Sequence, residues 1–397
     1  MDPIFRFSQR VTTLQESSTI MMSRLSREKA AQGHAVINLS LGEPDFNTPD
    51  HIKAAAKQAI DEGYTHYPPV SGYPDLKAAI IEKYWREHNV KSRPEQILIS
   101  TGAKQSLSNL FEVLLRPGDL VIVPTPYWVS YHDMIRLTGA QFIPLPAGPD
   151  TDYKITPEQL QRALTPTTRM VILNSPNNPT GVVYNHDELA DIVEVLRQAP
   201  HVFIISDEIY DWLTFDGQLR SLIRFEDIRS RLAIVNGVSK SYAMTGWRIG
   251  YFIAPEPITQ QAEKLQGQIT SGACSISQRA AIAALTGDHS PTIAMRRAFQ
   301  RRCNAAIQIL QQIPHIQYAV PQGAMYIFLD IRHYLQRPPI NSDLQFALWF
   351  LKQYNVSVVP GQAFGMPGHI RISFSVNVPQ LQEALQRLGE ALQNLTT

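Results

Sequence analysis

The chain has 397 residues, of which 44% are hydrophobic and 18% are charged, a composition typical of a folded globular protein and not of a disordered one. The formal net charge is +1, from 36 basic and 35 acidic residues. Because nucleic-acid and membrane-surface proteins carry a basic excess or patch, we expect neither partner. Any anion that the protein binds should therefore be small and held locally.

The only two cysteines are Cys274 and Cys303, too few for a disulfide framework or a zinc site, so no metal is expected. The N-terminus has charged residues where a signal peptide needs an apolar core. No run reaches the roughly 18 apolar residues that a membrane-spanning helix requires. These features predict a cytoplasmic protein.

The elements fall into three regions along the chain. Residues 1–48 predict an N-terminal arm and a helix at 23–34, which would form part of a small domain. Residues 49–289 predict a large domain. Its short apolar runs alternate with helical patterns such as 103–115 and 187–199, and the runs lie at 96–100, 120–124, 141–145, 169–175, 202–207 and 232–239.

Apolar strands that alternate with helices predict an α/β fold, with a mostly parallel central sheet covered by helices on both faces. Residues 290–397 predict a smaller α+β domain, completed by the N-terminal segment. This region contains helices at 291–313 and near 342–354, and strands at 324–330 and 369–375.

Ligands of such sheets bind outside the carboxyl ends of the strands, so the residues that follow each strand are candidates for function. The glycine-containing turn 101–104 opens a helix, where a phosphate would meet free amides, although an ordinary turn between strand and helix explains it equally well. Asn178 lies in a rigid turn with two prolines. Either its side-chain amide donates to a ligand from a fixed direction, or the residue simply forms the turn.

Two further strand ends carry ionisable residues. Asp207 is either a helix N-cap or a carboxylate that keeps a heterocyclic nitrogen protonated, with the Tyr210 phenol close by. Lys240 and Arg248 lie in a stretch that reads as half buried. A lysine there is either a solvated surface residue or a desolvated amine with a lowered pKa, able to act as nucleophile and base.

Taken together, these segments resemble class I pyridoxal-phosphate-dependent aminotransferases, and within them the bacterial aspartate aminotransferases of subgroup Ib. The similarity extends from about residue 10 to 390. It rests on GVSK (237–240), AM (243–244), Gly246, RIG (248–250), NPTG (178–181), DEIY (207–210), GEPDF (42–46), YPP (67–69) with Gly72, PYW (126–128) and Arg371.

The resemblance implies the transferase fold called fold type I, with pyridoxal 5'-phosphate bound by the large domain. Lys240 would bind the cofactor aldehyde covalently and carry the substrate α-proton. Asp207 would pair with the ring nitrogen, Tyr210 and Asn178 would hydrogen-bond the ring hydroxyl, and Trp128 would stack on the ring.

The resemblance also implies where the phosphate is held. Arg248 and the Ser239 hydroxyl would contact it, together with the start of the helix at Gly102, Ala103 and Lys104. Tyr67 would reach the phosphate of the neighbouring subunit, because sites in this family are shared across a homodimer.

For the substrate, Arg371 would hold the α-carboxylate in a bidentate fork. Gly42 would let the small domain approach the substrate, which Trp128 and Asn178 would also contact. Another branch holds the distal carboxylate with a partner arginine. That position falls near Gly267 here, so Ser17, Thr19 and Lys104 are the expected contacts instead.

Two further departures bear on this expectation. Some subgroup members that use prephenate have a basic residue just before the serine that corresponds to Ser17. Here Gln15 followed by Glu16 stands there, which counts against that substrate. Gly237 stands where many relatives have a serine that contacts the phosphate, so one hydroxyl contact would be lost.

The predicted activity is ping-pong transfer of the amino group of L-aspartate to 2-oxoglutarate, giving oxaloacetate and L-glutamate. An aminotransferase for aromatic or other neutral amino acids, or a C–S lyase on the same fold, remains the alternative. A ligand sensor fused to a DNA-binding head would need an extra N-terminal domain, and the family pattern already starts by residue 10.

Overall fold

The computed structural model describes residues 6–12, 14, 16–335 and 340–395. Gln15 lies outside this part of the chain. The strands are β1 Ile37–Asn38, β2 Ile97–Ser100, β3 Leu120–Thr125, β4 Gln141–Pro146, β5 Thr168–Asn174, β6 Phe203–Asp207, β7 Leu232–Gly237, β8 Gly250–Ile253, β9 Tyr326–Asp330, β10 Val356–Ser357, β11 Val359–Pro360 and β12 His369–Ser373.

The helices surround these strands and are longer than the strands in most cases. They are α1 Gln9–Thr12, α2 Ser18–Ala31, α3 Asp50–Asp61, α4 Pro74–His88, α5 Ala103–Leu114, α6 Ser130–Leu137, α7 Pro157–Ala163, α8 His186–Arg197, α9 Glu256–Ile269, α10 Ser275–Thr286, α11 Ser290–Leu310, α12 Asp343–Tyr354 and α13 Val378–Asn394. Within the described ranges, none of these helices is long and apolar enough to cross a membrane.

The central sheet has seven strands in the order β2-β8-β7-β6-β5-β3-β4. All are parallel except β8, which runs antiparallel to both neighbours. Apolar clusters fill both faces under the helices, which confirms the predicted fold class. Strand β8 was not predicted from the sequence. A short connection without an α-helix joins it to β7, and an antiparallel neighbour needs no helical crossover.

Strand β4 departs from the expectation of burial on both faces. Its residues are exposed or half-buried, because the strand forms the edge of the sheet and only β3 pairs with it. The other predicted strands of the sheet are largely buried, as expected for its interior.

Two predicted helix boundaries were wrong by several residues. Helix α2 begins at Ser18 rather than 23, because Met22 is fully buried in the C-terminal core and extends the helical face. It ends before Gly33, whose φ of +91° stops a helix. Helix α11 ends at Leu310, and Pro314 disfavours helical geometry at the residue before it.

The N-terminal segment joins the C-terminal part of the chain. Strand β1 pairs in parallel with β10, and Leu39 packs in the same apolar cluster as Met325 and Leu388. A second small sheet there has the order β11-β12-β9 and is antiparallel. These contacts support the proposal that residues 1–48 and 290–397 form one small domain beside a large domain at 49–289.

Candidate active site

One cavity of about 250 Å³ opens at the carboxyl ends of the central strands, where the alternation of strands and helices brings the predicted residues together. The predicted residues that line it are Ser17, Thr19, Gly42, Ala103, Lys104, Trp128, Asn178, Asp207, Tyr210, Ser239, Lys240, Arg248 and Arg371. They come from both the large sheet and the N- and C-terminal segments.

Lys240 lies in the loop that follows β7. Its Nζ donates a hydrogen bond to the Gly42 carbonyl oxygen at 2.5 Å, so the GEPDF segment covers the amine. Burial lowers the pKa of Lys240 to about 8, against the attraction of Glu43, and the nearby Arg248 lowers it further. A lysine with such a pKa has a substantial neutral fraction near neutral pH and can act as nucleophile or base.

Residues 238–249 connect β7 to β8 and are called here the Lys240 loop. Two close backbone contacts hold the two ends of this loop together. A Cβ on Gly250 would lie 2.1 Å from the Ala103 amide nitrogen, so β8 begins directly beneath the first turn of α5. A Cβ on Gly237 would lie 2.8 Å from the Ile249 carbonyl oxygen. The serine that many relatives have at this position therefore does not fit here without movement of the backbone.

Asp207 ends β6 and is 4% exposed. Its Oδ2 accepts a hydrogen bond from the Tyr131 hydroxyl at 2.5 Å, and its Oδ1 accepts one from the Ile209 amide at 3.2 Å. Burial raises the pKa of Asp207 to about 6, although the Tyr131 hydrogen bond opposes the rise. A cationic ring nitrogen beside this carboxylate would favour its charged form.

Arg371 is 1% exposed and lies on β12 in the C-terminal part of the chain. Its guanidinium lies over the rings of Tyr326 and Phe364, at 4.5 and 5.1 Å from their centroids. No aspartate or glutamate of the described chain pairs with it, and its buried Nε has no hydrogen-bond partner there. A buried guanidinium without an acidic partner is costly, so an anionic ligand is expected.

Neighbouring polar groups restrict Arg371. Its Nη1 donates to the Asn178 side-chain oxygen at 3.0 Å and its Nη2 donates to the Ser40 carbonyl oxygen at 2.7 Å. Because the Asn178 oxygen accepts from Arg371, its amide nitrogen is the atom left for a ligand. The Tyr210 and Tyr326 hydroxyls share a hydrogen bond of 2.9 Å.

At the other side of the cavity, α5 begins at Ala103 after Gly102, which has a φ of +83°. The first amides of a helix lack intrahelical partners and favour anions. Lys104 lies with its Nζ 5.0 Å from the Trp128 ring centroid, and burial together with Arg248 lowers the pKa of Lys104.

Arg248 is exposed, although the sequence around Lys240 and Arg248 reads as half buried. It has a left-handed backbone (φ +57°) and donates from Nη1 to the Thr245 carbonyl oxygen at 2.7 Å. The guanidinium stands at the rim of the cavity beside Gly102, so it meets solvent as well as the site.

Two predicted residues do not line the cavity. Gly102 lies behind the Arg248 guanidinium, and Tyr67 is 91% exposed on the surface of the chain. The role of Tyr67 toward a neighbouring subunit stays a prediction. Gly267 lies within α9, and a Cβ built on it would lie 3.7 Å from the Val70 side chain.

Two tyrosines of the site were not predicted from the sequence. Tyr131 stands three residues after Trp128, about one helical turn along the chain. This spacing could have indicated that Tyr131 lies near the site. Tyr326 lines the cavity and was interpreted only as part of a strand. In the sequence Tyr326 stands among apolar residues of a strand, and this pattern does not indicate contact with a ligand.

Comparison with known proteins agrees with this geometry. Residues 34–388 match the family model described as aminotransferase class I and II. An aspartate aminotransferase of Geobacillus stearothermophilus is 42% identical over 385 residues, covering 96% of this chain and 98% of that protein. An aspartate/prephenate aminotransferase of Cereibacter sphaeroides is 43% identical, covering 96% and 97%.

Solved structures are similar over the same length. The aspartate aminotransferase of Rhizobium meliloti superposes with a TM-score of 0.93 at 37% identity, covering 98% of this chain and 99% of that one. The aspartate aminotransferase of Thermus thermophilus with maleate gives a TM-score of 0.92 at 34% identity, covering 98% and 100%. On these grounds, this chain belongs to the class I and II aminotransferase family.

Proposed function

We propose that this protein is a pyridoxal-phosphate-dependent aspartate aminotransferase. L-Aspartate would give up its amino group and leave as oxaloacetate, and 2-oxoglutarate would then accept the group and leave as L-glutamate. The observation that carries the proposal is the buried Arg371, which has no acidic partner among the described residues and lines one cavity with the reactive amine of Lys240.

The residues fit pyridoxal 5'-phosphate by the chemistry of the donor set. Lys240 is a partly buried amine for the aldehyde, Asp207 is a buried carboxyl for the ring nitrogen, and Trp128 offers a flat face for the ring. The first turn of α5, Ser239 and Arg248 would hold the phosphate at the rim. When bound, this cofactor supplies a carbonyl that receives the amino group and an electron-withdrawing ring that stabilises negative charge at the substrate Cα.

The chain's own groups would bind and orient the substrate. Arg371 would bind the α-carboxylate through its free Nε and its fork, while Ser40 and Asn178 keep the guanidinium in one plane. The Asn178 amide and the Tyr210 hydroxyl would donate hydrogen bonds into the site. Lys240 would remove the proton from the substrate Cα, since its lowered pKa suits a base near neutral pH.

The distal carboxylate of aspartate would meet Lys104 with the hydroxyls of Ser17 and Thr19, which line the same cavity. Gly267 supplies no side chain for this purpose. Closure of the small domain over the substrate would exclude water from the cavity. The names of similar proteins, aspartate aminotransferase and aspartate/prephenate aminotransferase, support a dicarboxylate donor.

We also propose a homodimer in which Tyr67 contributes to the site of the partner subunit. The exposed Tyr67 and Ile269 support a contact surface beyond the single chain. Sedimentation would measure the mass, and Tyr67→Phe would weaken cofactor binding if the contact exists.

The experiment that tests the function compares amino donors with 2-oxoglutarate as acceptor. The values of kcat/KM are measured for aspartate, phenylalanine, alanine and cystathionine. Aspartate should exceed each of the others by at least about tenfold, or about 1.4 kcal/mol. A smaller preference, or elimination of a thiol from cystathionine as the main reaction, would overturn the aspartate assignment in favour of the aromatic or C–S lyase alternatives.

A further inference from the structure

A buried charged cluster lies beneath the site without lining the cavity. It consists of Lys83, Glu87, Asp211, Asn236 and Ser241, and is called here the Asp211 cluster. Lys83 is 2% exposed, and the side chains of Glu87 and Asp211 are 4% and 6% exposed. The mechanism outlined above uses none of these groups.

Asp211 is the centre of this cluster. Its Oδ2 accepts from the Lys83 ammonium at 2.7 Å and from the Asn236 amide at 2.9 Å. Its Oδ1 accepts from the Ser241 hydroxyl at 3.0 Å and from the Trp212 amide at 2.7 Å. Both carboxylate oxygens are therefore saturated with donors from three separate parts of the chain.

The charges on α4 complete the cluster. Lys83 also contacts Glu87 one turn later on α4, and Glu87 accepts from the Trp212 indole at 3.1 Å and from Arg86 at 3.2 Å. Burial disfavours the charged ammonium of Lys83 and by itself would lower its pKa. The attraction of the Asp211 and Glu87 carboxylates is larger, so the pKa of Lys83 is raised well above its usual range. The cluster thus remains charged.

The cluster lies between the two segments that carry the reactive groups. Asp211 directly follows Tyr210, and Ser241 directly follows Lys240. Asn236 binds Asp211 with its amide and accepts from the Gly237 amide at 2.7 Å with its oxygen, at the start of the Lys240 loop. The Asp211 carboxylate therefore joins three parts of the chain: the end of β7, the Lys240 loop, and residues 208–211 after β6, called here the Tyr210 segment.

A buried ion pair contributes little net stability, because desolvation offsets most of the attraction. An apolar cluster of equal volume would hold these elements together as well, but it would not fix the direction of the loop by hydrogen bonds. We propose that Asp211, held by Lys83, is a positioning residue that fixes the Lys240 loop relative to the Tyr210 segment. This inference rests on the proposed function.

The test uses two variants of the full-length holoenzyme. Asp211→Asn removes the charge and one acceptor atom, and Ser241→Ala removes only the hydroxyl that joins the Lys240 loop to Asp211. Leu196→Ala is the matched control, because Leu196 is fully buried in α8 and does not line the cavity. It should lower Tm while leaving kcat and the absorbance spectrum of the bound cofactor unchanged.

Asp211→Asn should lower kcat for aspartate about tenfold or more, since small misplacements of a reacting group are costly. Ser241→Ala should lower kcat about threefold or more in the same direction. For both variants KM should change by less than about twofold, and the spectrum of the bound cofactor should shift, because substrate contacts remain while the amine is misplaced.

If either folded variant matched Leu196→Ala in kcat and in spectrum at a similar Tm, the positioning role would be refuted. Should Asp211→Asn fail to fold, Ser241→Ala decides alone. A parent enzyme without aminotransferase activity would instead refute the proposed function, so the two failures are distinguishable.

Discussion

The Arg371 guanidinium donates a hydrogen bond of 3.0 Å to the side-chain oxygen of Asn178, a residue 193 positions earlier in the chain. Arg371 lies on the small antiparallel sheet, and Asn178 lies in the turn after β5 of the central sheet. This contact couples the group expected to bind the substrate carboxylate to the part of the chain that would hold the cofactor.

Arg371→Lys should reduce kcat/KM for aspartate about 10²-fold or more, because an ammonium cannot reproduce a planar fork with two anchored nitrogens. Steady-state kinetics measures the change. Arg231→Lys is the control, since Arg231 donates to backbone carbonyls at Leu196, Ala199 and Val202, outside the cavity lining. Equal kinetics in the two variants would place the carboxylate clamp elsewhere.

Lys240→Ala should abolish turnover, because it removes both the amine that would bind the cofactor and the base near the substrate Cα. Absorbance spectroscopy after addition of pyridoxal phosphate should show no covalently held cofactor. Circular dichroism should remain that of the parent, since alanine leaves the backbone of the loop unchanged. Retained turnover would remove Lys240 from its proposed role.

Lys104→Gln should lower kcat/KM for aspartate about tenfold or more while changing that for alanine by less than about threefold, because only aspartate has a distal carboxylate. Lys77→Gln on α4 is the control, a largely buried lysine that does not line the cavity. A loss of equal size for aspartate and alanine would indicate that Lys104 serves the cofactor phosphate instead.

Glu208 predicts a pH dependence of stability. Burial raises the pKa of Glu208 to about 7 from 4.5, against hydrogen bonds from Ser206 and Ser221. Between these values the folded state binds more protons than the unfolded state. Stability contributed by Glu208 should therefore fall as pH rises from 4.5 to about 7, by about 3 kcal/mol, and level off above.

Glu208→Gln retains the accepting oxygen and should remove this slope, measured as the change in urea unfolding midpoint between about pH 5 and 8. The exposed Glu194→Gln, which loses only a surface contact to Arg197, should keep the slope of the parent. A slope unchanged by Glu208→Gln would mean that this carboxyl ionises equally in the folded and unfolded chain.

The sequence predicted the interior strands well because an apolar run buried on both faces is a local signal, as for β5 and β6. It predicted element ends less well: the start of α2 depends on the burial of Met22 by the C-terminal core. The antiparallel β8 was missed because strand direction follows from the path of the chain between strands and not from periodicity.

The candidate site was found mainly through the combination of motifs. Taken singly, the turn at Asn178, the acid at Asp207 and the amine at Lys240 each had an ordinary structural explanation. Tyr131 and Tyr326 belonged to none of the recognised motifs, and their hydrogen bonds to Asp207 and Tyr210 join them to the site.

The sequence by itself determined which reactive groups stand at strand ends, because the pattern of strands and helices requires a sheet whose carboxyl ends share one edge. The tertiary structure decided which atoms meet. Folding of the C-terminal part of the chain against the turn after β5 placed Arg371 beside Asn178 and left its Nε without a hydrogen-bond partner among the described residues. Such contacts depend on parts of the chain that are distant in sequence, and hydrophobic periodicity reports only on local structure.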